Sequence, residues 1–550
     1  MASGCGRTVA WPPATGPAAV NSGCGSGACW ARPRAIDGNA AKTIPGGAMN
    51  RRDFLKAAGG AMLGAAVPRW AAARSAAAPM RRRPSVLWIM MDDGRADALG
   101  CYGTAWAKTP HMDRIAAEGV RFDVAIVQNP VCVPSRKSMK TGHYAHEVGP
   151  VAMGKPPAGG IPYVDAARIE RLNREPNLLD AWTAAGTRPV NVGKIHGFHA
   201  SWDARGDMPS ELDVCGRPTA YARQTFGGNG KAVLPAESVF TKTHGWMIGG
   251  ISPLKPGQSQ TWRLGDKAAA VLEELAHKDE PFFLRVSFHA PHVACRVPKE
   301  YFIDPATIHL PLPTDEELAA KPAFERGPLR TYAGADLMDE QIGLARGTYY
   351  GMVSLVDAQV GRLVEILRRA GRLDDTIIAI NSDQGFQLGE HGLWKKRVFY
   401  EQNVRAPLVL RYPAAVPAGR VIDEPVEMID FLPTLLGLCG LTVPDGIRGR
   451  SLRPLIEGRV SRWRRACFSE IDHSQSMYEE LRNTGRRVMV RTRRWKLVFF
   501  MDPRVKDKDG ALYDLRDDPG ERVNLYGDAK YAAVIERLER LASQWAAGTV

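Results

Sequence analysis

The chain is poor in cysteine and has no C-x-x-C pair. Nine cysteines fall among 550 residues, and none is spaced to hold a structural zinc. Cys5, Cys24 and Cys29 lie in the first 48 residues; the other six (Cys101, Cys132, Cys215, Cys295, Cys439 and Cys467) indicate no disulfide framework. Long apolar runs are also missing. The longest small apolar stretch near the N-terminus, Ala57 to Val67, is too short for a stable membrane span. No internal repeat is present, which excludes solenoids and propellers. A nucleic-acid binder is not indicated either. The net charge is +14, but residues 1–80 carry nine Lys or Arg against Asp37 and Asp53, which is half of that excess. What remains is a mildly basic chain whose surface suits anionic substrates. Hydrophobic residues make up 45% and charged residues 24%, as in ordinary soluble globular proteins.

The N-terminal region reads as two pieces. Residues 1–48 are rich in Gly, Ala and Pro without periodicity, a doubtful leader. Residues 49–80 open with Met49-Asn50-Arg51-Arg52-Asp53-Phe54-Leu55-Lys56 and run into an Ala-rich segment with cleavage options at Ala73 or Ala78. The pattern resembles a twin-arginine signal, so the expectation is a true start at Met49 and delivery by the twin-arginine export machinery to the periplasm or outside the cell.

From residue 85 apolar runs alternate with helical patterns. Val86–Met91, Phe282–Phe288 and Thr376–Ile380 read as strands buried on both faces, with 124–127 and 189–192 as shorter candidates. Between 352 and 370 the residues Leu355, Val356, Val360, Leu363, Val364 and Leu367 mark one helical stripe, with Gly371 as its stop. This alternation predicts an α/β fold with a large, mainly parallel or mixed sheet flanked by helices. The catalytic domain is expected over 84–460 and a smaller C-terminal α+β subdomain over 461–550. The latter would hold strands at 488–491 and 496–500 and a closing helix at 531–545 with Val534, Leu538 and Leu541 on one face. Residues 200–260, rich in Gly and Pro, read as an insertion serving as a lid or substrate loop.

Five polar clusters follow strand candidates, where ligands bind in open α/β sheets. Asp92-Asp93 is either a turn or a pair of carboxylates sharing a cation. Cys132-Val133-Pro134-Ser135-Arg136 starts a helix whose dipole and arginine favour an anion, and Thr141-Gly142 follows it. The others are Gly193-Lys194-Ile195-His196, His289-Ala290-Pro291-His292, and Ser382-Asp383-Gln384-Gly385 running on to His391 and Lys396. Asp383 and Gln384 offer the oxygen donors that hard cations take.

The C-x-P-x-R pattern with its T-G five residues on resembles the signature of the sulfatase family, of the alkaline-phosphatase-like superfamily. Gly193–His196, the Asp383–Lys396 run and the tail Leu512-Tyr513-Asp514-Leu515 are similar to further family segments. Gln384 stands where the family commonly has Asn or His. The resemblance implies a formylglycine made from Cys132 by a separate maturation enzyme. It implies a divalent cation, calcium with magnesium as the other candidate, held by Asp92, Asp93, Asp383, Gln384 and the oxidised Cys132. Arg136, Lys194 and Lys396 would neutralise the sulfate, His292 or Lys396 would stabilise the leaving group, and His196 would release the product by taking a proton from the hydrated aldehyde. The substrate class so implied is a sulfated carbohydrate or small molecule. The neighbouring alternatives are a phosphonate monoester or phosphodiester hydrolase and an inactive binder of sulfated glycans.

Overall fold

A computed structural model describes residues 83–149, 166–174, 177–196, 203–226, 228–241, 245–322, 324–325, 337–460, 462–472, 485–501, 505 and 509–548. The expected leader and signal fall outside these residues. Residues 81–550 form one compact unit.

The core is an eight-stranded mixed sheet. In chain order its strands are β1 (Ser85–Asp92), β2 (Val120–Phe122), β3 (Val190–Gly193), β4 (Asp203–Ala204), β5 (Phe283–Pro291), β6 (Thr376–Ser382), β7 (Leu408–Arg411) and β8 (Arg420–Ile422). Their spatial order is β8-β2-β7-β6-β1-β5-β3-β4. The central strand β1 pairs in parallel with both β6 and β5. Every β1 residue is buried, because helices cover both faces of the sheet. Val86, Trp88 and Met90 feed one core while Leu87, Ile89 and Met91 feed the other, the two-residue period of a strand. Each such side chain contributes about 1.5–3 kcal/mol on burial.

The sheet is less parallel than its longest runs suggest: β7 runs antiparallel to β6, and β2 antiparallel to β7. The 124–127 candidate is a two-residue strand, Ala125–Ile126, and belongs to a separate three-stranded sheet with 405–406 and 426–427. The helices that matter to the site are α1 (Cys132–Thr141), α2 (Gln260–Ala276) and α3 (Asp339–Arg369). The expected stripe lies on α3, which begins thirteen residues earlier than its pattern and is followed by Gly371 in the left-handed region at φ 64°. The 200–260 stretch is more ordered than its composition suggests. It contributes β4, and Met247–Ser252 pairs with both 238–240 and 297–298.

The C-terminal part is a four-stranded antiparallel sheet, β9 (Cys467–Asp472), β10 (Arg486–Arg491), β11 (Trp495–Phe500) and β12 (Gly510–Asp514). Helix α4 (Ala532–Ala546) closes it, with Leu538, Ala542 and Trp545 buried against Phe468, Val488 and Leu497. Among the described residues no helix is long and apolar enough to cross a membrane, and no disulfide joins the six described cysteines.

Candidate active site

The carboxyl ends of β1, β3, β5 and β6 point to one place, and helix α1 starts beside it. Asp92 ends β1, and Asp93 follows with φ 66°, a left-handed conformation uncommon outside glycine. The Asp93 backbone N–H donates to Asp383 Oδ1 at 3.2 Å, and the Tyr349 hydroxyl of α3 donates to the Asp93 carbonyl at 2.6 Å. These bonds hold the strained turn in place. At the end of β3, Gly193 has φ 94°, and a Cβ there would sit 2.3 Å from the Ser287 carbonyl oxygen. Only glycine permits this turn, and it aims Lys194 back at Asp92.

Arg136 ties the site together. It lies one helical turn beyond Cys132, on the same face of α1, and is fully buried. Its Nε donates to Asp383 Oδ2 at 2.5 Å, its Nη1 to Ser287 Oγ at 3.0 Å, and its Nη2 lies 3.6 Å from Asp92 Oδ2. Lys194 pairs with Asp92, and Lys396 Nζ donates to Asp93 Oδ1 at 2.6 Å. Three cations thus face three carboxylates in a nearly water-free pocket. The Gln384 side-chain amide donates to Asp93, and its backbone N–H donates to Asp383 Oδ1 at 3.0 Å. Cys132 is 3% exposed and acts electrostatically on both Arg136 and Lys396.

The electrostatics follow from burial and neighbours. Burial alone would push the Asp92 carboxyl up, but Lys194, His292, Arg136 and Lys396 hold it well below the usual carboxylate range. Burial pushes Asp383 up to about 6 in spite of Arg136, with Asp92 adding to the rise. Lys396 is held above the ordinary lysine value because Asp93 and its neighbours overcome the cost of burial. His292 and His196 are both kept neutral. Burial lowers His292 to about 3, and burial together with Lys194 and Arg136 lowers His196 to about 4. His292 has its Nδ1 at 2.7 Å from the Val293 carbonyl, so the hydrogen sits there and the Nε2 lone pair faces Asp93, 3.9 Å from its Oδ2.

The donor set fits a hard cation. Donor atoms of Asp92, Asp93 and His292 lie within 4.8 Å of one another. Asp93 Oδ2 and Gln384 Oε1 are buried with no hydrogen-bond partner, a costly arrangement that a bound cation would relieve. Asp383 differs from the other carboxylates, because both of its oxygens already accept from Arg136 and from backbone N–H groups.

Beside the charged cluster lies a cavity of about 520 Å³, lined by Lys194, His196, His289 and His292 on one side and by residues of the 207–219 stretch on the other. Another cavity, of about 560 Å³, lies among Arg114, Glu273, Arg362 and Arg369 and includes none of the site residues expected from the sequence. Ser287 and Tyr349 were not visible as site residues in the sequence. Ser287 is a polar residue inside a buried apolar strand, which is a usable signal; Tyr349, within α3, offers none.

Comparison with known proteins matches the sulfatase family model over residues 84–441, and a second model, N-sulphoglucosamine sulphohydrolase C-terminal, over 389–547. An arylsulfatase of Clostridium perfringens is 27% identical, the match covering 84% of this chain and 93% of that one. An N-acetylglucosamine-6-O-sulfatase of Bacteroides thetaiotaomicron is also 27% identical, covering 84% and 86%. Among solved structures, the phosphonate monoester hydrolase of Agrobacterium radiobacter is 26% identical with a TM-score of 0.71, covering 85% of this chain and 96% of that one.

Proposed function

Since the chain belongs to the sulfatase family of sulfuric ester hydrolases, we propose that it removes sulfate from a carbohydrate ester, using a formylglycine made from Cys132 and a bound divalent cation. The observation that carries this reading is the meeting of Cys132, Arg136 and three buried carboxylates at the ends of β1, β5 and β6. Asp92, Asp93, Asp383 and Gln384, with the oxidised Cys132, would hold the cation, calcium in preference to magnesium, and His292 offers a further donor. Once bound, the cation would supply Lewis-acid stabilisation of the sulfate oxygens, and the oxidised Cys132 would supply the attacking hydroxyl.

The chain's own residues do the rest. Arg136, Lys194 and Lys396 set positive charge around a sulfate whose negative charge would otherwise repel a nucleophile. Lys396 keeps its proton through its pairing with Asp93, so it stabilises the departing alkoxide, with His292 beside it. His196 is neutral and half-buried, its Nδ1 has no partner, and it is therefore free to accept the proton whose removal releases sulfate. The likeness to the Bacteroides enzyme, named for N-acetylglucosamine 6-sulfate, supports a sugar substrate. A phosphonate monoester hydrolase is the second reading, favoured by the Agrobacterium structure and outweighed by the family match.

For residues 49–80 the reading is export through the twin-arginine route to the periplasm or the medium, supported by Arg51-Arg52 and the short apolar run after them.

The test is protein coexpressed with a formylglycine-generating enzyme. Sulfate release from sulfated sugars should exceed phosphodiester or phosphonate cleavage in kcat/KM. The tryptic peptide from Phe122 to Arg136 should weigh roughly 18 Da less than its thiol form. Full activity with an unshifted peptide would refute the nucleophile assignment.

A further inference from the structure

The cavity beside the charged cluster says what kind of molecule carries the sulfate; the argument rests on the sulfatase reading above. Among the described residues lining it, the permanent cations are Lys194 and Arg296, and the carboxylates are Asp207, Glu211 and Asp213. Both cations are already committed. Lys194 pairs with Asp92. Arg296 pairs with buried Glu211 and also donates to Ser210 Oγ at 2.8 Å and to the Ala294 carbonyl at 2.9 Å. Glu211 is further engaged by Arg263 at 2.5 Å. The other two carboxylates stay partly open to the cavity. Asp207 is 42% exposed with one oxygen 2.7 Å from His289 Nε2, and Asp213 is 34% exposed beside Arg217.

Among the described lining residues, a second anionic group on the substrate would therefore meet no cation without a carboxylate partner and would approach Asp207, whose partner is a histidine, whereas Asp213 is paired with Arg217. A hydroxyl, by contrast, finds an acceptor in Asp207 and a ring nitrogen in His289. Discrimination by an unfavourable charge is a common route to specificity. We infer that the sulfate to be cleaved is the substrate's only anionic group at this site, that the unit bearing it is neutral and hydroxyl-rich, and that Asp207 is the residue that turns polyanionic sugars away. Asp207 sits in the 203–226 stretch but is fastened to β5 by its bond to His289, so the discriminating carboxylate is anchored to the strand that leads to His292.

The test uses the mature, metal-loaded protein and two matched substrates: 4-nitrophenyl sulfate carrying a ring carboxylate, and the methyl ester of the same compound. The ester should be preferred in kcat/KM by about tenfold or more, mostly through KM, the size of a like-charge contact between the limits of water and protein interior. Asp207→Asn should shrink that ratio several-fold, whatever the absolute rates. Equal rates, a preference for the carboxylate, or a ratio that Asp207→Asn leaves alone would overturn the inference while sparing the sulfatase reading. Hydrolysis of neither compound, together with no sulfate release from sulfated sugars, would overturn both.

Discussion

The two walls of the site handle charge in opposite ways. On the inner wall Arg136, Lys194 and Lys396 meet Asp92, Asp93 and Asp383 almost wholly out of solvent, with Arg136 bridging Asp92 and Asp383 and Asp92 shared between Arg136 and Lys194. On the outer wall Glu211 is buried between Arg263 and Arg296, but towards the rim charges pair singly and stay partly solvated, as Arg217 does with Asp213 at 2.7 Å. Buried charges are expensive unless every partner is in place, so the inner wall tolerates little change. Exposed pairs contribute little to stability, so the outer wall is free to vary with the substrate.

That contrast breaks most sharply at the proposed nucleophile. Cys132→Ala should lower kcat by at least about 10⁴-fold, the scale seen when a central catalytic group is lost, with the melting temperature nearly unchanged. Residual activity close to that of the parent would mean the inner wall is not the reacting centre. Arg136→Ala should come next, because it strands Asp383 and Asp92 in the interior. Unfolding in urea should show a loss of about 3–5 kcal/mol, and Arg136→Lys, which keeps the charge but not the forked geometry, should recover part of it.

Metal removal tests the same wall through pH. The raised Asp383 pKa, about 6, lies above its unfolded value. Metal-free protein is therefore stabilised at that carboxyl below the unfolded pKa, and loses this as pH rises through about 6. A cation reverses the penalty by stabilising the ionised form. The gap in melting temperature between calcium-loaded and chelator-treated protein should widen from pH 5 to pH 8; a constant gap would place the cation elsewhere. The smallest effect belongs to the outer wall. Arg217→Ala should cost under about 0.5 kcal/mol in the same urea titration, and a loss approaching that of Arg136→Ala would erase the distinction between the walls.

Much of the inner wall was legible in the sequence because Asp92, His292 and Asp383 stand at or just beyond the ends of largely apolar runs. The burial of those strands on both faces writes itself as Val, Ile, Leu and Phe. Lys194 and His196 could be placed because Gly193 marks a turn that admits no side chain. The outer wall was not legible. Asp207 and Glu211 lie in a stretch with no periodicity, and their importance comes from His289, Arg263 and Arg296, partners 52 to 85 residues away in sequence. Strands β2, β7 and β8 are three or four residues long, too short for a pattern, and their pairing, antiparallel for β7 with β6 and β2 and parallel for β8 with β2, is set by distant contacts. Tyr349 could not be picked out of α3, since a tyrosine on a buried helix face looks like packing until its hydroxyl is seen on the Asp93 carbonyl.

The near-complete enclosure of Cys132, 3% exposed at the start of α1, constrains the maturation and export proposed above. An enzyme oxidising Cys132 would have to reach it while the loop ahead of α1 is still open. With the proposed twin-arginine route, which carries folded proteins, oxidation would precede closure of the fold, and closure would precede passage across the membrane. A chain closed too early would then leave with an unconverted thiol, correctly shaped and permanently idle.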